Sequence, residues 1–186
     1  MITRDQALEI IRQHVKNENI VKHMLATEAL MQALAQKLGG NKQEWAMAGL
    51  LHDGDYCEEV PPEKQGVQIT DWLRESGYQV PETVAHAMAA HNDDTGVKPE
   101  SKMDWAIFCG DSLTGLIVAA TLVLPSRKLA DLKTESVLKR FKEPSFARGT
   151  RREDIALCEE KLGLSLQEFV EIGLKAMQGV SKELGL

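Results

Sequence analysis

The sequence has little of what several classes of protein require. Its three cysteines, Cys57, Cys109 and Cys158, are too few and too widely spaced for a disulfide framework, and no Cys-x-x-Cys pair indicates a thiolate zinc site. Its longest apolar stretch, residues 113–124, is shorter than a bilayer requires and contains two threonines. The N-terminus lacks the charged-then-apolar order of a signal peptide, so we expect a soluble protein with reduced thiols in the cytoplasm.

Positive charge is also scarce overall, since 28 acidic residues outnumber 22 lysines and arginines and leave a net charge of −6. This balance argues against a nucleic-acid polymer or an anionic membrane as the partner. The charge is unevenly distributed, because residues 125–152 carry nine basic and three acidic residues, a net charge of +6. A basic segment on an acidic protein fits a small anionic ligand, although a solvated basic surface explains it equally well.

The spacing of apolar residues predicts helices and no strands. Thr3, Asn41 and Ser165 begin capping-box patterns or near variants of them, and apolar residues recur at helical spacing. No segment alternates for long enough to indicate a strand. We predict an all-α, compact bundle of about eight or nine helices, with residues 1–186 as a single domain. The predicted helices cover residues 4–16, 19–38, 42–53, 63–77, 82–91, 101–123, 134–142, 151–162 and 166–184.

The most informative feature is His52-Asp53, two adjacent residues with metal-binding side chains that end an otherwise apolar helix. Neighbours on a helix lie about 100° apart and cannot face one point, so we expect Gly54 to end the helix and let the two converge. Upstream, His23 shares a helix face with apolar residues, and downstream Asp111 interrupts an apolar helix. Two imidazoles and two carboxylates suit a divalent cation that keeps positions for water and a substrate oxygen.

Each of these residues also has an explanation without a metal. His23 fits a core histidine bonded to a backbone carbonyl, and Asp53 fits the cap of the next turn while His52 favours the C-terminal end of its helix. Asp111 is the hardest to explain, because a carboxylate on an apolar helix loses its hydration unless a cation or several hydrogen bonds replace it. The alternative partner for Asp111 is a lysine or arginine from residues 125–152.

With these residues in the order His, His-Asp, Asp, the chain resembles the HD domain family of metal-dependent phosphohydrolases, in its small single-domain branch. The resemblance runs over most of the chain and implies an HD-type helical bundle. It also implies that a divalent ion, whether Mn, Mg, Fe, Co, Ni or Zn, is bound by His23, His52, Asp53 and Asp111. The implied activity is hydrolysis of a small phosphorylated metabolite or nucleotide by activated water.

One departure from the family pattern concerns the number of metals. Two-metal members carry a histidine after a lysine in the segment beyond His-Asp, and here Gln65 follows Lys64 at that place. Glutamine replaces an imidazole ligand poorly, so we predict one tightly bound metal. Related proteins often carry a further histidine at the position of His91, as a second-metal ligand or substrate contact.

A second departure leaves the general base open. Some one-metal nucleotidases of the family carry a glutamate that orients the attacking water, and Tyr56 stands at its position here. We assign Asp53, Asp55 and His91 as candidate catalytic residues, because Asp53 and Asp55 lie in the segment of the metal pair and the resemblance implies a substrate or metal contact at His91. His86 lies about 140° from His91 around the helix, so we interpret it as structural.

Cations are needed for the phosphate oxygens that the metal does not contact. Lys64, Lys139 and Arg148 are the candidates, since arginine can bind a phosphate bidentately and lysine supplies a point charge. Phe146, close to Arg148, could offer a stacking face. Any one of these lysines and arginines could equally be an exposed, solubilising residue.

Two other functions stay open. The first is a metal-containing ligand-binding or regulatory HD protein with little turnover, because the glutamate and the second-metal histidine are both replaced. The second is an oxygen-using di-iron HD enzyme, which needs the second metal that Gln65 argues against. We expect a small phosphorylated substrate as partner, no nucleic-acid polymer and no membrane, while assembly into a homo-oligomer stays open.

Overall fold

The computed structural model describes residues 2–186, which form ten α-helices and no strand. The all-α prediction is confirmed, with one or two more helices than expected because one predicted segment divides. The helices are α1 Arg4–His14, α2 Glu18–Leu38, α3 Lys42–Leu51, α4 Gln68–Glu75, α5 Glu82–Ala90, α6 Lys102–Leu122, α7 Thr134–Phe141, α8 Arg152–Ala156, α9 Leu166–Gly179 and α10 Ser181–Leu184.

Side-chain caps begin several of these helices where the sequence predicts them. Thr3 closes a capping box at α1, Asn41 accepts from two backbone amides of α3, and Ser165 accepts from the third residue of α9. Ser101 closes a further capping box at α6. Gly39 ends α2 in the left-handed conformation, with φ of 77°. Each side-chain cap contributes about 1 kcal/mol, so these boundaries are defined locally.

The predicted helix 63–77 is shorter at its start, since α4 begins only at Gln68. Pro62–Lys64 form a single 3-10 turn instead. Gly66 then has φ of 88°, a conformation that cannot belong to a right-handed helix. This turn and glycine separate α4 from the segment that follows His52-Asp53.

The two C-terminal predicted helices are interrupted. The predicted helix 151–162 is α-helical only as far as Ala156 and ends in a π-helical turn at Cys158–Leu162. The predicted helix 166–184 divides at Val180, whose φ of −115° and ψ of 16° leave the helical region. A helical period in the sequence detects the apolar face but does not detect such local changes of winding.

Helix α6 lies at the centre of the fold and contacts α2, α5, α7, α8 and α9. Its length and apolar composition would be enough for a membrane span, but most of it is buried inside the structure. Burial of this kind is expected for the core helix of a soluble protein. Helix α2 packs between α3 and α9, so the first half of the chain also closes around the core.

Two glycines bring α3 and α6 close to α2. A Cβ on Gly49 would lie 2.8 Å from the backbone oxygen of Thr27, and a Cβ on Gly110 would lie 2.7 Å from Cδ2 of Leu30. At Gly49 only glycine fits without a shift of the backbone of α2, whereas at Gly110 a larger residue would have to displace the side chain of Leu30. The close approach carries the end of α3 and the middle of α6 to the part of α2 that bears His23.

Candidate metal centre

Four side chains from α2, the end of α3 and α6 converge at one point. His23 Nε2 lies 3.1 Å from His52 Nε2 and 2.8 Å from Asp111 Oδ1. Asp53 Oδ2 lies 3.6 Å from both of these imidazole nitrogens. Donor atoms of His23, His52 and Asp53 all lie within 4.8 Å of one another, a spacing that could hold a metal ion. The structure thus brings the four predicted ligands together.

The chain turns sharply at the end of α3, and this turn aims both His52 and Asp53 at the cluster. His52, which follows the last residue of α3, keeps helical dihedral angles, and the amide of Gly54 bonds to the carbonyl of Leu51 at 2.8 Å. The helix ends beside Gly54 as expected, and Gly54 does not have positive φ. Glycine fits at this position because a Cβ would lie only 3.0 Å from Ile69 Cδ1.

The hydrogen bonds of the two imidazoles define where their lone pairs point. His52 Nδ1 lies 2.9 Å from the carbonyl of Gly49, which can only accept, so His52 Nδ1 carries the proton. His23 Nδ1 lies 3.0 Å from the Thr114 hydroxyl, which itself donates to the Asp111 carbonyl at 2.8 Å. In the neutral tautomers, both Nε2 atoms therefore present lone pairs to each other and to two carboxylates. A cation relieves such an arrangement, so the donor set fits a metal ion.

The charges of the cluster keep its carboxyl groups ionised. Burial lowers the pKa of His23, but the hydrogen bond and charge of Asp111 outweigh this and raise the pKa to about 9. Burial raises the pKa of Asp53, but His52, His91 and His23 outweigh it and lower the pKa to about 2. Burial is likewise outweighed at Asp111, where His23 and His52 hold the pKa well below its usual value. Without a metal, His23 is thus protonated at neutral pH and its Nε2–H faces two ionised carboxylates, at the place that a bound cation would take.

His91, at the end of α5, lies against the same cluster. Its Nδ1 donates to the Met88 carbonyl, so its Nε2 lone pair faces Asp53 Oδ1 at 3.4 Å. Its ring meets His52 edge-on, with ring centroids 4.8 Å apart. The predicted catalytic residues Asp53 and His91 are therefore neighbours. His86 instead faces Asp104 at 3.0 Å, in line with its structural interpretation.

Asp55 binds the backbone of the segment that precedes α4 through its carboxylate. Its buried carboxylate accepts hydrogen bonds from the backbone amides of Gly66 at 2.8 Å and Ile69 at 2.9 Å. Burial raises the pKa of Asp55, and these two hydrogen bonds oppose that effect. The assignment of Asp55 as a catalytic residue stays a prediction, which this occupied carboxylate does not support.

Gln65 and Tyr56, the two residues that depart from the family pattern, both lie outside the cluster. Gln65 Nε2 donates to the carbonyl of Val60 at 3.4 Å. Both residues line a cleft of about 820 Å³ that lies away from the cluster. His14 and Trp72 also line it, and their rings stack with centroids 3.8 Å apart. Neither residue supplies the imidazole or carboxylate that stands at its position in the relatives.

A cleft of about 410 Å³ opens directly beside His23 and Asp111. Its other wall is a loop after α7, and the predicted phosphate contact Arg148 lines it. Lys64 and Lys139 are exposed and do not line this cleft among the described residues. Their assignment as phosphate contacts stays a prediction, which the lining of this cleft does not support.

The sequence does not single out Arg151, which also lines this cleft. Its Nη2 lies 3.7 Å from Asp111 Oδ2, and its Nε lies 2.7 Å from Asp154 Oδ2. The only sequence signal is membership of the basic segment 125–152, which holds eight other lysines and arginines. Arg151 is also the cation expected in the alternative account of Asp111, but that contact is longer than a hydrogen bond. The nearest partner of Asp111 is His23, at 2.8 Å.

The model of the HD domain family matches residues 20–114, a stretch that contains all four converging side chains. The chain belongs to the HD domain family. Members of this family are typically metal-dependent hydrolases, and the His-His-Asp cluster of this HD protein is compatible with metal binding. No match was found among solved structures. Arg148 and Arg151 lie beyond the matched residues, so the family assigns nothing to the facing wall of the cleft.

Proposed function

We propose that this HD protein is a metal-dependent phosphohydrolase that acts on a small phosphorylated metabolite or nucleotide. One observation carries the proposal. The Nε2 atoms of His23 and His52 lie 3.1 Å apart beside two ionised carboxylates, at the edge of a cleft whose other wall bears arginines. A cation site that faces a cationic loop suits a substrate with several negative oxygens.

One divalent ion would be held by His23, His52, Asp53 and Asp111, and Mn, Mg, Fe, Co, Ni and Zn all suit this mixed set of ligands. When bound, the ion would lower the pKa of a coordinated water and offset the charge of the phosphate. A single ion is proposed because Gln65 turns away to the Val60 carbonyl.

The protein's own groups would manage the proton and the phosphate. Asp53 Oδ1 faces His91 Nε2 at 3.4 Å, so these two groups are placed to share a proton taken from the attacking water. Burial lowers the pKa of His91, but Asp53 more than offsets this and raises it, which favours proton uptake by the imidazole. Arg148 would bind phosphate oxygens from the facing wall of the cleft.

A ligand-binding or regulatory HD protein with little turnover is the second candidate. The occupied carboxylate of Asp55 favours it, because Asp55 cannot take the place of the missing glutamate. For either function we propose a single HD-type domain over residues 1–186, a cytoplasmic location and a small phosphorylated partner. We propose no nucleic-acid polymer or membrane as partner, and a homo-oligomer stays open.

Elemental analysis followed by a phosphoester screen tests this proposal. The purified protein should hold about one divalent ion per chain, and with saturating metal it should hydrolyse at least one small phosphoester. Metal binding without turnover of any ester would favour the regulatory function. Absence of metal binding would contradict both candidates.

A further inference from the structure

The loop between α7 and α8, residues 142–151, folds around the side chain of Arg152. The guanidinium group donates to five backbone carbonyls, those of Phe141 at 2.8 Å, Glu143 at 3.0 Å, Arg140 and Thr150 at 3.4 Å, and Phe146. A planar guanidinium group holds its donors in a rigid fork, so these bonds constrain the backbone of the loop. The loop is therefore preorganised, although it has no regular secondary structure.

Ala147 shows that this loop holds an unfavourable conformation. Its φ of 45° lies in the left-handed region, which a residue with a Cβ adopts at a cost of about 1 kcal/mol or more. Such a conformation persists only where its surroundings maintain it, and it often marks a functional site. Ala147 itself lines the cleft beside His23 and Asp111.

The loop directs two guanidinium groups at the cleft. Arg148 and Arg151 both line it, and the side chain of Arg151 is 37% exposed. Asp154 contacts the Nε of Arg151 at 2.7 Å, and Asp93 lies 3.5 Å from its Nη1. Its Nη2 is 3.7 Å from Asp111, too far for a hydrogen bond, so that nitrogen keeps donors for a ligand. Arg151 thus has a defined orientation beside the candidate metal ligand Asp111.

The cleft offers no platform for a nucleobase among the described residues that line it. Small and polar residues make up the wall next to the cluster, including Ser112 and Gly115. Phe146, the predicted stacking face, packs against the core with the guanidinium of Arg140 4.8 Å from its ring centroid. Base recognition usually employs an aromatic face, so a cleft of about 410 Å³ without one suits a smaller aliphatic group.

We propose that residues 142–151 form a phosphate-binding loop for a small, non-nucleotide phosphomonoester. Arg151 and Arg148 bind the phosphate, and Arg152 is the positioning residue that shapes the loop. Two guanidinium groups suit a terminal phosphate, which carries up to two charges, better than a diester, which carries one. This inference rests on the proposed function, because the phosphate is that of the proposed substrate.

Inorganic phosphate is the probe for this loop, titrated by calorimetry into the full-length, metal-loaded protein. Arg151→Ala should weaken phosphate binding about 10- to 100-fold, the range for loss of hydrogen bonds to a charged group, with unchanged metal content. Arg148→Ala should act in the same direction. Lys142→Ala is the matched control, because Lys142 is exposed in the same loop and does not line the cleft. Its removal should leave phosphate affinity unchanged.

The positioning role of Arg152 is tested by non-additivity. Arg152→Ala should weaken phosphate binding, and removal of Arg148 in that background should add much less than it does in the parent. A purely structural Arg152 would leave the two effects additive. If Arg152→Ala fails to fold, Ala147→Gly tests the same point. Glycine relieves the backbone strain at position 147, so thermal stability should be kept, but the loop becomes more flexible and should bind phosphate more weakly.

The outcomes separate this inference from the proposed function. If Arg151→Ala and Arg148→Ala bind phosphate as Lys142→Ala does, the loop proposal is wrong even where the parent hydrolyses esters. If phosphate binding depends on Arg151 but no ester is hydrolysed, the loop proposal stands and the hydrolase function fails. A higher kcat/KM for nucleoside monophosphates than for glycerol phosphate would overturn the assignment of a non-nucleotide substrate.

Discussion

One wall of the cleft carries His23 and Asp111 on two long helices, whereas the facing wall carries Arg148 and Arg151 on a loop. The helical wall is held by buried packing, and its histidines are oriented by Nδ1 bonds to backbone and hydroxyl oxygens. The loop wall is held by the guanidinium group of Arg152, which donates hydrogen bonds to backbone carbonyls. A metal ion requires ligands at fixed distances, which packed helices provide. Contacts to an anion tolerate more variation in position, so a loop can provide them.

The largest effect is expected on the helical wall, at Asp111. Asp111→Ala should weaken metal binding by more than about 100-fold, because even the outer partners of metal ligands contribute 10- to 100-fold to affinity. Asp94→Ala is the matched control, since it removes an exposed carboxylate from a nearby turn and should keep the metal. A full equivalent of metal on Asp111→Ala by elemental analysis would show that the four-ligand assignment is wrong.

Substitution of Asp55 tests whether this residue, which follows the metal pair, has a structural or a catalytic role. Asp55→Ala leaves two buried amides without acceptors, so we expect a loss of about 2–4 kcal/mol in the free energy of unfolding by urea denaturation. Asp55→Asn keeps one acceptor oxygen and should lose less. A stable Asp55→Ala variant that binds metal normally but shows no turnover would support the catalytic assignment of Asp55.

The close approach of α3 to α2 predicts a smaller effect. Gly49→Ala places a Cβ 2.8 Å from a backbone oxygen, so α3 must shift, at a cost of about 1–3 kcal/mol in stability. The shift should also weaken metal binding, because the end of α3 carries His52. Gly115→Ala is the control, since its Cβ would meet nothing within 4 Å, so it should raise stability by up to about 1 kcal/mol and leave the metal titration unchanged.

The smallest effect is expected at the two lysines predicted as phosphate contacts. Lys64→Ala and Lys139→Ala remove exposed charges that do not line the cleft, so phosphate affinity should change by less than about twofold. Calorimetric titration of both variants beside Arg151→Ala measures this difference. A tenfold loss at either lysine would mean that the anion site extends well beyond the cleft.

The contrast between the helical wall and the loop wall also explains which features the sequence predicts well. The fold class follows from helical periodicity, and the convergence of His23, His52, Asp53 and Asp111 is implied by the resemblance to the HD domain family that these metal-binding side chains carry. These signals are local, since each ligand interrupts the pattern around it. The segment before α4 is predicted less well, because Gly66 and the bonds to Asp55 depend on contacts across the loop.

The loop wall shows what the sequence does not predict. Arg151 and Arg152 are adjacent, yet one faces the cleft and the other points into the loop to bond backbone carbonyls. Composition identifies residues 125–152 as basic but does not distinguish these two roles. The difference arises from the path of the backbone, including the positive φ of Ala147, a conformation that an alanine in the sequence does not indicate.

Metal titration of the parent protein tests the central claim most directly. The metal-free protein, titrated with Mn²⁺ or Zn²⁺ in a calorimeter, should show one tight phase that saturates at about one equivalent per chain, lost in Asp111→Ala. Two tight equivalents would show that His91 completes a second site despite Gln65. No tight phase with any divalent ion would contradict the account, and the convergence of His23, His52, Asp53 and Asp111 would then be structural alone.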